Sequence, residues 1–369
     1  MKEAAIQTFI LECINFKNYD NELLKNTIGE ISDWDLLLDI INHHRIGGIV
    51  YSVLVDSQLL DLADSSFKSK LSMVFENNKT KNDDLTKILK HLGSEIENES
   101  YNYAFLKGSY LIPKLYAKGQ RISNDIDILI SQKDIDKIDV YLKKMNFVQK
   151  VYRDKAGWVE PTRKEKIFAR MNYGELLPYF RDYGLKGIET AIVDVNISLD
   201  FQAKYNLSLV DRMLENTFSY DINGTSLCTL NREDFLIHLC AHLFKEATIY
   251  DWVKENRDTH LYKYCDIYAF LLEVEEDFFE KFNNKVLEYG LEKECYFTLI
   301  NSIKLFPYLA KRKGINILLE NIKPNDLNYF NIIYWPLEKK SFSHNCEFIS
   351  WVFCDDKLKM LREIENVTS

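Results

Sequence analysis

Two carboxylates spaced two residues apart on an extended strand point the same way and stand close enough to share one divalent cation. Three such Asp-x-Asp pairs occur in this sequence: Asp33/Asp35, Asp125/Asp127 and Asp134/Asp136. Mg²⁺ is commonly held by one or two carboxylates, completed by substrate phosphates and water. Ions held in that way activate an attacking oxygen and stabilise a departing phosphate. The first pair flanks a helix start and the third sits in a helix's first turn, where the helix dipole favours negative charge. Asp125/Asp127 instead opens an apolar, β-branched run, Ile126–Ile130, which reads as a strand.

The elements around that pair give it a context. Tyr103-Ala104-Phe105-Leu106 reads as a short buried strand that ends at Gly108-Ser109. A helix can follow to Lys118, closed by Gly119, with Pro113 in its first turns, where a missing N–H costs least. A Gly-Ser turn at a helix N-terminus offers backbone N–H groups and a hydroxyl to a phosphate. Further on, Val193, Val195, Ile197 and Leu199 alternate with Asp194, Asn196 and Ser198. That period of two predicts a strand with one apolar face and with Asp194 on the polar one. Such a strand, laid beside Ile126–Ile130, would bring Asp194 to Asp125 and Asp127 as a third carboxylate, and the expected metal site is built from all three. A solvated strand acid is the alternative reading of Asp194.

The run LKGSYLIPKLYAKGQRISNDIDILI (Leu106–Ile130) resembles the Gly-Ser helix and D-x-D strand of the DNA polymerase β-like nucleotidyltransferase superfamily. Within it, the chain is most similar to the bacterial family usually labelled uncharacterised nucleotidyltransferase, which places an Arg shortly before its aspartates, as Arg121 stands here. WDLLLDIINHHRIGGIVYSVL (Trp34–Leu54) resembles the family's N-terminal helix pair, and EDFLIHLCAHLFKEA (Glu233–Ala247) its C-terminal helix. The Lys263–Asp266 stretch resembles a later helix, so the likeness spans roughly residues 30–275. The resemblance implies Gly108 and Ser109 at the nucleotide phosphates, and Asp125 and Asp127 as ligands of Mg²⁺ or Mn²⁺. It also implies Asp194 as the carboxylate that orients the acceptor and helps deprotonate it. The chain departs from the family at Asn196, where a His is common, and at Pro113, inside the helix after the Gly-Ser turn.

Other residues carry two readings each. Lys107 and Arg121 flank the expected phosphate site, where they would neutralise phosphate charge or else be solvated surface cations. His238 and His242 are four apart on a helix, but the Glu of an H-E-x-x-H zinc site is missing, which favours a packed pair. Lys245 and Lys263 could reach phosphates or could be charged helix faces. His43-His44-Arg45 could line a cleft, or could be cations at a helix C-terminus. Residues 150–183 interleave Arg153, Lys155, Arg163, Lys164, Lys166 and Arg170 with Tyr152, Trp158, Phe168 and Tyr173. This mixture suits nucleic acid or a phosphorylated acceptor, and equally the charged outer face of twisted strands. Neither a P-loop nor a dinucleotide-binding glycine motif is present.

At 369 residues, with 46% hydrophobic and 13% aromatic, the chain can bury a sizeable core. A formal charge of −9 argues against general nucleic-acid binding. Seven scattered cysteines without a C-x-x-C pair read as reduced, mostly buried thiols of a cytoplasmic protein. No signal-peptide pattern and no long apolar run is seen, so no membrane partner is expected.

Helical periodicity covers residues 1–100, with a polar run at Asn77–Asp84 leading into a further helix. Strands are expected over 147–200, and helices return after Asn231. The expected fold is α+β: a small mixed β-sheet nucleotidyltransferase core (101–230) between an N-terminal helical segment (1–100) and a C-terminal helical domain (231–369). The expected activity is transfer of a nucleoside monophosphate from an NTP such as ATP to a hydroxyl or phosphate of a small-molecule or peptide acceptor. Two other readings stand beside it. One keeps the fold but uses a nucleotide-sugar donor on a phosphorylated peptide or small molecule; the other is a catalytically silent binding module or toxin-system partner.

Overall fold

Ile126–Ile130 is buried at every position, and a strand buried on both faces belongs in the middle of a sheet. The computed structural model, which describes residues 2–96, 101–199 and 207–365, places it there. The chain divides into two compact units, residues 76–238 and residues 1–75 with 239–369.

In residues 76–238 the strands are β1 (Tyr103–Phe105), β2 (Ile126–Ile130), β3 (Val148–Gln149), β4 (Val151–Arg153), β5 (Gly157–Val159), β6 (Tyr179–Asp182), β7 (Thr190–Asn196), β8 (Thr217–Ile222) and β9 (Thr225–Leu230). Five of them form one sheet in the order β1-β2-β7-β6-β3, while β4–β5 and β8–β9 are separate hairpins. β2 and β7 are parallel and the other pairings in the sheet are antiparallel, so the sheet is mixed and the fold is α+β. β7 buries Ala191, Val193 and Val195 in alternation, the period of two expected from its sequence.

The polar run at Asn77–Asp84 does not separate two helices. It lies within one 32-residue helix, Ser65–Ile96. Its amides are tied to backbone that would otherwise be buried without partners. Asn82 donates to the Arg121 carbonyl at 2.8 Å and accepts from Gly119 N–H at 2.8 Å, and Asn78 donates to the Gly119 carbonyl at 3.1 Å. Asp84 accepts the Gly187 N–H at 2.7 Å, and a Cβ on Gly187 would stand 2.8 Å from the Lys81 nitrogen. Only glycine lets that turn approach the helix so closely.

Strands were expected throughout 147–200, yet Arg163–Tyr173 is a helix. Thr162 and Glu165 form a reciprocal capping box at its start, and Gly174 ends it in the left-handed conformation (φ 63°). The helix after the Gly-Ser turn is shorter than expected. It runs Gly108–Leu115, and Gly119 sits in the following turn at φ 95°.

In the other unit, helices Lys2–Ile14, Trp34–His43 and Gly47–Asp56 come from the N-terminal part, and Leu261–Leu272 and Glu292–Leu305 from the C-terminal part. Asn15 reaches the Leu305 carbonyl at 3.3 Å, and Phe306 stacks on Tyr268 with centroids 4.3 Å apart. The C-terminal part is not helical throughout. β10 (Ile332–Trp335), β11 (Lys340–Ser343) and β12 (Arg362–Ile364) form a three-stranded antiparallel sheet. All seven cysteines are free thiols, and Cys13, Cys240, Cys265 and Cys295 are buried. Among the described residues no helix is long and apolar enough to cross a membrane.

Candidate active site

The register of β2 against β7 sets Asp127 directly beside Asp194. Paired residues on neighbouring strands share a face, so the two carboxylates project to the same side of the sheet. Asp125 stands just before β2 and accepts from Ser123 Oγ at 3.1 Å. Gly108 is pressed against that serine: a Cβ there would meet Ser123 Oγ at 2.6 Å, so a side chain would push the serine off the acid.

Asp127 is 4% exposed and takes the Lys107 ammonium on Oδ1 at 2.7 Å, with Asn196 Nδ2 at 3.5 Å. Lys107 holds φ 45°, ψ −122°, a conformation that non-glycine residues adopt at a cost of about 1–3 kcal/mol. That backbone turn, directly before helix Gly108–Leu115, aims the ammonium at the acids. Leu106 N–H, bonded to the Asp127 carbonyl at 3.0 Å, fixes the approach. Glu175, just beyond Gly174, forms an antiparallel bridge with Asn196 and brings a fourth carboxylate to the end of β7.

Burial is the first cause that raises the Asp127 pKa; Lys107 opposes it and Asp125 adds to it. Asp194 is pushed up to about 8, by burial first and then by Asp127, Asp125 and Glu175. Asp127, Asp125 and Glu175 thus disfavour the ionised form of Asp194 while Lys107 opposes them, and such crowded negative charge is relieved by protonation or by a cation. Among the described residues, no three His, Cys, Asp or Glu side chains form a cage able to hold a metal by themselves. A hard cation held by one or two carboxylates and completed by phosphate oxygens still matches this donor set.

Ser109 is 1% exposed; its carbonyl accepts from Tyr220 Oη at 3.0 Å and its Oγ has no hydrogen-bond partner. Neither Lys107 nor Arg121 is a solvated surface cation, for Arg121 is only 7% exposed and Lys107 is held by the buried Asp127. Sequence reasoning missed Glu175, Ser123 and the Asn78–Asn82 clamp. For Glu175 the capping-box spacing Thr162–Glu165 and the stop at Gly174 were available signals.

The remaining candidates resolve by their surroundings. Lys263 is buried, pairs with Glu246 and donates to the Arg257 carbonyl at 2.7 Å, so it serves the interior of its own unit. His242 stands 3.5 Å from the same Glu246. His43 and His44 close helix Trp34–His43, but burial lowers both pKa values, so they are not helix-terminal cations at neutral pH.

Asp127 and Asp194 thus stand side by side on two parallel strands of a mixed sheet, with Lys107 bonded to the first of them. The chain belongs to the family described as uncharacterised nucleotidyltransferase, whose sequence profile matches residues 30–307. No curated protein matches it. Among solved structures it is similar to an antigenic nucleotidyltransferase-like protein from Paracoccidioides brasiliensis. That similarity is at 14% identity and TM-score 0.36, over 63% of this chain and 93% of that one.

Proposed function

We propose that the protein is a metal-dependent nucleotidyltransferase that moves a nucleoside monophosphate from an NTP to an acceptor oxygen. The observation that carries this reading is the in-register placement of Asp127 beside Asp194, with Asp125 and Lys107 at the same strand end. Mg²⁺ or Mn²⁺, when bound through Asp125 and Asp127, would withdraw charge from the transferring phosphoryl group.

The chain's own residues do the rest. Lys107 turns its ammonium from Asp127 towards the donor's phosphates once the acids are otherwise neutralised. Gly108 lets the turn pack against Ser123, and the buried Ser109 hydroxyl, unpartnered as it stands, supplies a further donor at the helix N-terminus. Asp194 orients the acceptor hydroxyl and takes its proton. Positive charge at the site brings its pKa down from about 8, towards the range of a general base at neutral pH. The acceptor oxygen bonds to the α-phosphorus, and the bond from that phosphorus to the bridging oxygen breaks. Pyrophosphate leaves with the electron pair.

The test presents each of the four NTPs, and nucleotide-sugars as a parallel arm, with Mg²⁺ or Mn²⁺. Metal-dependent thermal stabilisation by at least one NTP and release of pyrophosphate are expected. Stabilisation and turnover by nucleotide-sugars alone would replace this reading with sugar transfer, and no response to any donor would overturn it.

A further inference from the structure

The hairpin β4–β5 sets Tyr152 directly opposite Trp158, so both rings stand on one face of it. They are 61% and 59% exposed, unusual for large aromatic side chains. Their centroids are 5.6 Å apart at an interplanar angle of 70°, and Trp158 lies 5.2 Å from Phe180 at 55°. Neither contact is a parallel stack, so the ring faces are not used up on one another.

This row of rings has a direction. Phe180 on β6 pairs with Ile192 on β7 and therefore shares its side of the sheet. Ile192 and Asp194 are two apart on β7 and point to that same side, and Asp194 pairs with Asp127. The rings thus lead along one sheet face to the acids. A donor nucleotide has one base and can occupy one ring, so the length of the row suits a molecule with several flat groups.

Charge points the same way. Residues 150–170 hold seven Lys and Arg against three Asp and Glu, although the chain carries −9. Residues 76–238 hold 24 of each sign, so the acidity of the whole chain does not belong to this unit. Lys155, Arg163 and Lys164 are exposed, and among the described residues they have no ion pair. Open rings interleaved with free cations bind a strand by stacking its bases and neutralising its phosphates.

We infer that the Tyr152–Trp158–Phe180 face binds single-stranded nucleic acid and directs its terminal hydroxyl to Asp194 as the acceptor. This rests on the proposed transfer activity and replaces the small-molecule or peptide acceptor expected from the sequence. In the step, the terminal hydroxyl oxygen bonds to the donor's α-phosphorus, its proton passes to Asp194 and pyrophosphate leaves. The strand is then one nucleotide longer.

The experiment measures binding apart from chemistry. Anisotropy of a fluorescein-labelled twelve-nucleotide RNA, and of the same sequence as DNA, is titrated with the full chain at low salt without NTP. Saturable binding with quenching of Trp158 fluorescence is expected. Trp158→Ala should weaken it roughly five- to a hundred-fold, the loss of one stacked base. Lys155→Gln with Lys164→Gln should reduce the slope of log K against log salt by about 1.4. Both substitutions are at exposed positions, so the variants should keep the wild-type melting temperature. Absence of binding at micromolar protein would overturn the inference. So would binding that neither variant changes, or equal affinity for a duplex of the same length. Addition of NTP and Mg²⁺ then separates the two claims. A strand that binds but is never extended while another acceptor is modified overturns its role as acceptor. A protein that consumes no NTP with any acceptor faults the transfer reading instead.

Discussion

At the residue scale the ion pair of Lys107 with Asp127 is the centre of the site. Asp127→Asn keeps the volume and an oxygen to accept the Lys107 hydrogen bond, while it removes one of several crowded negative charges. Because burial and Asp125 both raise the Asp127 pKa, its ionised form is disfavoured in the folded protein. The melting temperature of the free variant should therefore stay level or rise. The additional stabilisation by Mg²⁺ and NTP should disappear, since a ligand stabilises only through what it binds in the folded state. Thermal scans with and without the pair of ligands check both outcomes. Asp35→Asn serves as the control. Asp35 is an exposed acid at a helix start, bridged to Lys70 at 2.9 Å, and losing such a surface pair should change little.

At the scale of elements, the long helix Ser65–Ile96 positions the acids without contributing one. Its Asn82 holds both Gly119 N–H and the Arg121 carbonyl, the backbone that delivers the chain to Asp125. Asn82→Ala leaves a buried donor and a buried acceptor unmatched, so unfolding by denaturant should show a loss of roughly 1–3 kcal/mol. NTP turnover should fall by more than stability alone explains, because displacement of a reacting group by about 1 Å costs on the order of a hundredfold. A variant with unaltered turnover at a temperature where it is fully folded would remove the clamp from the mechanism.

At the scale of the whole molecule, acid sensitivity should come from the unit formed by residues 1–75 and 239–369. His260 is buried against His43, with ring centroids 4.8 Å apart, and its pKa is lowered from 6.5 to about 2, by burial first and then by Lys263. The unfolded chain takes up a proton near pH 6.5 that the folded chain refuses until about pH 2. The stability due to the neutral ring is therefore complete above pH 6.5 and is lost as the pH falls towards 2. His260→Gln should flatten the dependence of melting temperature on pH across that window. An unchanged slope would place the acid-sensitive group elsewhere.

What could be read from the sequence alone was local. Strand β2, the alternation of β7 and the Gly-Ser helix start all follow from patterns that short-range sterics and burial impose. The helix Arg163–Tyr173 was also written locally, in the capping box from Thr162 to Glu165, but its charged, aromatic run reads equally as strand. The placement of Asp194 beside Asp127 depends on a parallel pairing across more than sixty residues, and strand register has no signature in either strand by itself. The polar run at Asn77–Asp84 looked like a break because polar residues in a helix have no local reason to be buried. Only packing against Gly119, Arg121 and Gly187 supplies the partners that make them part of a continuous helix. That residues 1–75 and 239–369 fold as one unit was likewise decided by tertiary contacts, since an apolar helix face records that it must be covered but not by which other segment.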